Sequence, residues 1–488
     1  MAYSPTLLDA AAIVVALLIL NRLFGNKPAR AGPLPSGPKG LPLIGNLLEM
    51  PASHEWQTFA QWGQRWGGIV SVTILGQPYV ILNSEKHPKE MLEKKSSIYS
   101  SRPVIAFGGE LVGWKRILVL QPYGNTFREH RRMIFQLIGS KKNMARFVPL
   151  VDAKTRDFIT EVYREPESLL KHIRKCAGAI ILMMSYGYQI KDEGDPLVEL
   201  VNRALEQFAI CTAPGAFLAN IFPALVHIPA WFPGAGFKKT AAAWRATLEQ
   251  MCEDPYNLVK QQIAAGTNVP SFTSKNLEGD VTPERELIVK DAASSLYAGG
   301  ADTAHAEIEA VIGNDRLPTA EDRENLPYVN AVFLETLRWN NVAPLGIPHR
   351  LIEDDVHDGY YLPKGTTVIT NLWQMLHDPE TYPDPGSFNP DRFLSYPGHE
   401  PELNPRTIAF GFGLFALVSP TSVFLSVTMS LAVFNISKVV ENSHVVEPST
   451  DYTSGTVSHP PAYKCDIKPR SAKAEALLQQ VLEQKHHD

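Results

Sequence analysis

Cysteine is scarce in this chain: four residues in 488, at Cys176, Cys211, Cys252 and Cys465. They form no CxxC and no Cys/His cluster of zinc spacing, which excludes a disulfide scaffold and a zinc-built module. Scattered thiols of this kind suit a reducing compartment, each as a small buried hydrophobe. An excess of one charge is also lacking. Lys plus Arg is 46 against 51 for Asp plus Glu, a net −5 at pH 7, so a broad basic surface for nucleic acid is not expected. With 33 glycines and 38 prolines the chain is neither collagen-like nor a low-complexity linker. What is present is ordinary folded-protein composition, 44% hydrophobic and 20% charged.

Long apolar runs are few, and the first is at the start. Ala10 to Leu20 is unbroken. Extended to Thr6–Phe24 the run reaches about 28 Å as a helix, close to the ~30 Å hydrocarbon core of a bilayer, but it includes Asp9, Asn21 and Arg22. Basic residues follow it (Arg22, Lys27, Arg30) and none precede it, which favours an anchor with its far end in the cytoplasm over a cleaved signal peptide. We expect a membrane anchor over 1–26; an interfacial or buried helix is the other reading. Residues 27–45 are a basic, Pro/Gly-rich hinge, since Pro33, Pro35, Pro38 and Pro42 cannot continue a helix. A length prior of roughly 150 residues per domain suggests about three domains. No repeat and no second linker follows residue 45, however, so 46–488 reads as one large domain.

That domain reads as mainly helical with small sheets. Ile69 to Leu82 is a hairpin of β-branched runs around Gly76-Gln77-Pro78, and Tyr361 to Ile369 is a turn feeding a short strand. Ile180–Met184 and Ile288–Leu296 carry helical spacing.

Four local patterns carry chemistry. Glu335 and Arg338 are three apart in an apolar-periodic helix and can pair on one face, or form an ordinary solvated pair. Arg392, in Pro390-Asp391-Arg392-Phe393, is a second guanidinium that can complete a buried carboxylate cluster. Ala298-Gly299-Gly300-Ala301-Asp302-Thr303 ends a helical pattern either as a capped terminus or as a face where something bulky approaches. Arg128, Arg131 and Arg132 share one helical turn, able to grip a carboxylate or simply to face water.

In this order, with the proline hinge and Pro348-His349-Arg350, these motifs resemble the cytochrome P-450 haem-thiolate monooxygenases, of the fungal microsomal type. The resemblance implies a mainly α domain with small β-sheets behind an N-terminal anchor in the endoplasmic reticulum membrane. It implies a haem cofactor and insertion of one oxygen atom of dioxygen into an apolar small molecule of secondary metabolism. Electrons would come from an NADPH-dependent reductase. Asp302 and Thr303 would deliver protons, Arg128, Arg131 and His349 would hold the haem propionates, and Glu335, Arg338 and Arg392 would form a structural cluster. Ile105, Phe107, Phe208 and Phe217 are candidates for a substrate pocket or for plain core.

Two departures oppose that reading. The family's haem loop begins at Phe410-Gly411-Phe412-Gly413, but Phe415 stands where its arginine belongs, Leu417 where its axial cysteine belongs and Ser419 where its glycine belongs. Leucine has no lone pair to give to iron. Thr407 to Ser437 is uncharged, and 414–430 reads as an aberrant segment, such as mis-spliced sequence. Material is also missing after Thr303, where Ala304-His305 runs directly into Ala306-Glu307-Ile308. A catalytically inactive or defective isoform lacking the haem thiolate is therefore the alternative expectation. An unrelated protein with spans at Thr6–Phe24 and Thr407–Ser437 is disfavoured by the ordered motifs.

Overall fold

The computed structural model describes residues 32–296, 316–409 and 419–485, apart from 192, 193, 214, 215, 280, 448, 450, 459 and 462. The expected anchor, Asp302, Thr303 and the haem-loop positions 410–418 lie outside these residues. Among the described residues no helix is long and apolar enough to cross a membrane.

The β-branched runs form strands as their alternation requires. Strands β1 (Ile69–Ile74) and β2 (Gln77–Leu82) pair antiparallel, with Ile69 opposite Leu82 and Ile74 opposite Gln77. The two-residue turn is Leu75-Gly76, both at positive φ (49° and 81°), which matches the twist of the flanking strands. The turn thus lies earlier than the Gly76-Gln77-Pro78 of the sequence reading, and Pro78 pairs with Thr73 inside the strand. Proline is tolerated there because the next strand joins β2 only from Tyr79 onward.

Strand β3 (His349–Arg350) follows, then a small hairpin of β4 (Asp355–His357) and β5 (Tyr360–Leu362). Strand β6 (Thr367–Thr370) lies parallel to β2 and antiparallel to β3, so the four-stranded sheet has the order β1-β2-β6-β3.

The rest is mainly helix. Helix α1 (Asn125–Ile138) buries Phe127, His130, Met133, Ile134, Leu137 and Ile138, a three-to-four spacing that leaves Arg128, Glu129 and Arg132 outward. Helices α2 (Val148–Arg164), α3 (Leu169–Tyr186), α4 (Pro283–Ser294) and α5 (Pro327–Trp339) join it in the largest core cluster. The helical spacings at 180–184 and 288–296 fall in α3 and α4, although α4 ends at Ser294.

Helix α6 (Ser419–Val433) accounts for about half of the uncharged run. Phe424, Leu425, Val427, Met429 and Leu431 are essentially inaccessible, within the same core cluster as Val151, Phe158 and Ile159 of α2. A helix apolar all round belongs in the interior of a protein of this size as readily as in a bilayer, and here the interior is where it lies. A second core cluster holds Phe107, Trp114 and Phe208, with Phe217 stacked on Phe107 at 3.6 Å. Of the aromatics named as pocket candidates, Phe107 thus packs on Phe217 and Phe208 on Trp114.

Candidate functional site

Two guanidinium groups and an imidazole converge where the extended chain before α1 meets β3. Arg350 donates its backbone N–H to the Ser101 carbonyl (2.8 Å), so residues 100–102 run beside β3. Arg102 precedes Pro103, which favours an extended conformation at that position. Its Nη1 donates to the carbonyls of Ile347 (2.8 Å) and Pro348 (3.1 Å), while its buried Nε has no hydrogen-bond partner among the described residues. Arg131, one residue beyond the buried His130, is half-buried, with its guanidinium 5.6 Å from the Phe127 ring.

His349 opens β3, and its Nδ1 lies 2.8 Å from the Tyr99 carbonyl. A carbonyl only accepts, so Nδ1 carries the proton. Tyr99 is itself held by its hydroxyl, which donates to Asp355 Oδ2 (2.8 Å), and Lys95 pairs with the same carboxylate (2.7 Å).

The electrostatics of this trio are unbalanced. Burial, and then the neighbouring Arg131, push the Arg102 guanidinium down to about 10. Burial, followed by Arg102, holds His349 well below the usual imidazole range. No described carboxylate pairs with Arg102 or Arg131. Desolvated cations without counter-charges are costly, and a ligand bearing carboxylates removes that cost. The arrangement has the chemistry to take a carboxylate.

Of the residues expected there, the structure brings Arg131 and His349 together. Arg128 is exposed, hydrogen-bonds Asn125 and lies 5.5 Å from the Tyr123 ring on its own turn. Arg102 was not singled out by sequence. Its only local signal is an arginine ahead of a proline, and its site is assembled by residues some 245 positions away.

The second group is a buried ion cluster. Arg338 donates Nε and Nη2 to the two oxygens of Glu335 (2.6 and 2.7 Å), and neither side chain has solvent access. Its remaining donors reach the carbonyls of Leu376 (3.0 Å) and Pro385 (2.9 Å). Arg392, in the turn Pro390–Phe393, adds Nε to Glu335 (3.3 Å) and Nη1 to Glu402 (2.9 Å). The Asn389 N–H also donates to Glu335 (2.8 Å). Such saturation is what a buried carboxylate requires, and it ties α5 to the loop 383–392.

The three buried cysteines are held as thiols. Burial pushes the thiols of Cys176 and Cys211 up to about 12 and raises that of Cys252. Cys465 sits in the strand Cys465–Pro469, opposite Lys438. The donor set of this corner fits the two carboxylates of a haem, while the loop expected to carry its axial ligand, with Leu417, lies outside the described residues.

Comparison with known proteins places these features. A family model described as Cytochrome P-450 matches residues 35–304 and 300–414. The chain is 50% identical to cytochrome P-450 monooxygenase 208 of Postia placenta, covering 96% of this chain and 97% of that relative. It is 43% identical to cytochrome P-450 monooxygenase claR of Ampulloclitocybe clavipes (98% and 94%) and 36% identical to ppsD of Aspergillus oryzae (92% and 91%).

Proposed function

Because the chain belongs to the cytochrome P-450 family, we propose that Arg102, Arg131 and His349 hold the two propionates of a haem. The observation that carries this is the unpartnered Arg102 Nε beside a second guanidinium. The function is that of a haem-dependent monooxygenase, an oxidoreductase. The family works with a redox-partner reductase, dioxygen and small-molecule substrates. Within that frame the electron donor is an NADPH-dependent reductase and the substrate an apolar secondary metabolite. Asp302 and Thr303 are the proton-delivery pair, and Glu335, Arg338 and Arg392 keep the loop 383–392 in register. Arg128 is a reserve cation for the propionates. Residues 1–26 anchor the chain in the endoplasmic reticulum membrane, and 27–45 are the hinge.

The protein's own residues perform binding and orientation here. His349 keeps one proton on Nδ1 through Tyr99, so it donates from Nε2 to a carboxylate as the imidazolium, the form that a bound negative charge favours. Arg131 offers a planar fork to a carboxylate.

One observation favours a second reading, an isoform defective in the haem thiolate: Leu417 holds the axial position, and the buried cysteines are inert thiols. Two features of the comparisons concern the length of the chain. The family match falls in two pieces that meet at 300–304, and the second stops at 414. The alignment with the Postia relative spans 496 positions, while 96% of 488 residues is about 468, so about 28 of its positions lack a counterpart here.

A carbon-monoxide difference spectrum of the reduced chain, expressed with haem supplied, tests both readings. The red-shifted Soret band of a thiolate-ligated haem sinks the second reading. Absence of that band, together with haem retention that Arg102→Met abolishes, supports propionate binding without the thiolate. A transcript whose sole form carries codons 413–431 as written rules out mis-splicing.

A further inference from the structure

Away from the cationic corner, two buried histidines face each other without a charged group between them. His87 lies in the helical turn Lys86–Pro88, and His357 ends β4. The two residues are 6% and 3% exposed, the rings meet edge to face at 72°, and His87 Nδ1 is 2.8 Å from His357 Nε2. Next in sequence, Asp358 sits at the tip of the β4–β5 hairpin with φ 49°, a left-handed conformation that aspartate tolerates. That turn brings Asp358 Oδ2 to 3.8 Å from His87 Nδ1. The three donor atoms lie within 4.8 Å of one another.

We propose that His87, His357 and Asp358 form a binding site for a divalent transition-metal cation of the zinc type. Two imidazoles and a carboxylate are the ligand set of a borderline ion such as Zn2+, with a fourth position left for water. Tetrahedral ligands at about 2.0–2.1 Å from the ion stand roughly 3.3 Å apart. The two nitrogens open by about half an ångström, and the carboxylate closes on His87 Nδ1 by as much. The proton now shared by the two ring nitrogens moves to the far nitrogen of His87.

The surroundings have the form of an outer coordination shell. His357 Nδ1 is 3.8 Å from Glu90 Oε2, longer than a hydrogen bond but near enough for the carboxylate to favour a proton on Nδ1 and the lone pair on Nε2. Lys86 Nζ occupies Asp358 Oδ2 at 2.5 Å, as a competing cation. Its side chain is largely exposed and swings away at little cost. An ion here joins the turn before Tyr99 to the hairpin whose Asp355 holds the Tyr99 hydroxyl, and so braces His349 from behind.

The test uses the full, untagged chain stripped with chelator and titrated with Zn2+ and Co2+. One saturable equivalent of Zn2+ is expected, competed by Co2+ with the visible absorption of a tetrahedral ion. His357→Gln removes that equivalent. Glu90→Gln weakens it about tenfold, as loss of an outer-shell carboxylate does. Lys86→Met tightens it about fivefold, the upper end of what an exposed ion pair is worth. No saturable equivalent in the parent chain overturns the proposal. Equal affinity in His357→Gln also does, since the ion then sits elsewhere, for instance at His486-His487. A His357→Gln chain that fails to fold leaves Lys86→Met to decide, and an unchanged or weaker affinity in that variant overturns the site.

Discussion

Tyr99 and His349, 250 residues apart, are joined by one hydrogen bond from the imidazole Nδ1 to the tyrosine carbonyl, 2.8 Å long. The same tyrosine is fixed at its other end by Asp355. Its hydroxyl therefore decides where its carbonyl lies, and the carbonyl decides which nitrogen of His349 is free. Tyr99→Phe is expected to cost about 1–2 kcal/mol in urea unfolding, because it leaves Asp355 short of one donor. It should also weaken haem retention less than His349→Ala does. Equal loss in the two variants would assign Tyr99 a direct role.

Glu335 offers a sharper contrast. Glu335→Gln leaves Arg338 and Arg392 buried with half their counter-charge, and the expected loss is about 3–5 kcal/mol. Arg132→Ala breaks an exposed pair with Glu129 and should cost under about 1 kcal/mol. Denaturation midpoints of the two variants, taken side by side, check the difference.

Acid should weaken the fold through histidine. Burial lowers His130 and His377 to about 4 each, whereas an unfolded imidazole titrates near about 6.5. The unfolded chain then takes up protons first as pH falls. This contribution is complete above about pH 6.5 and is lost toward about pH 4, by about 1 kcal/mol per histidine per pH unit. Urea midpoints followed from about pH 7 to about pH 5 should fall, and His130→Leu should flatten the slope by one histidine's share. An unchanged slope would remove His130 from the account.

The uncharged run makes a fourth prediction. Phe424 has no exposure, and Arg323 stacks on its ring at 4.9 Å. Phe424→Ala should destabilise the folded domain by about 3–5 kcal/mol. A membrane span detached from the core would leave the domain's stability untouched.

Sequence alone determined what depends on near neighbours. Alternating β-branched residues set β1 and β2, because side chains on a strand alternate faces. The spacing of Glu335 and Arg338 set their pairing, because residues three apart share a helix face. The order of the motifs set the family, and Leu417 set the doubt about its thiolate.

Tertiary structure decided what depends on distant partners. The two residues between β1 and β2 took the turn at Leu75-Gly76 rather than around Gln77-Pro78, since strand twist selects positive φ at both. The apolar run at 419–433 went into the core because α2 offered an apolar face to cover it. Arg102 entered the cationic corner, and His87 met His357, through contacts spanning some 245 to 270 residues. Periodicity reports only the face a residue lies on, and packing alone supplies what stands opposite.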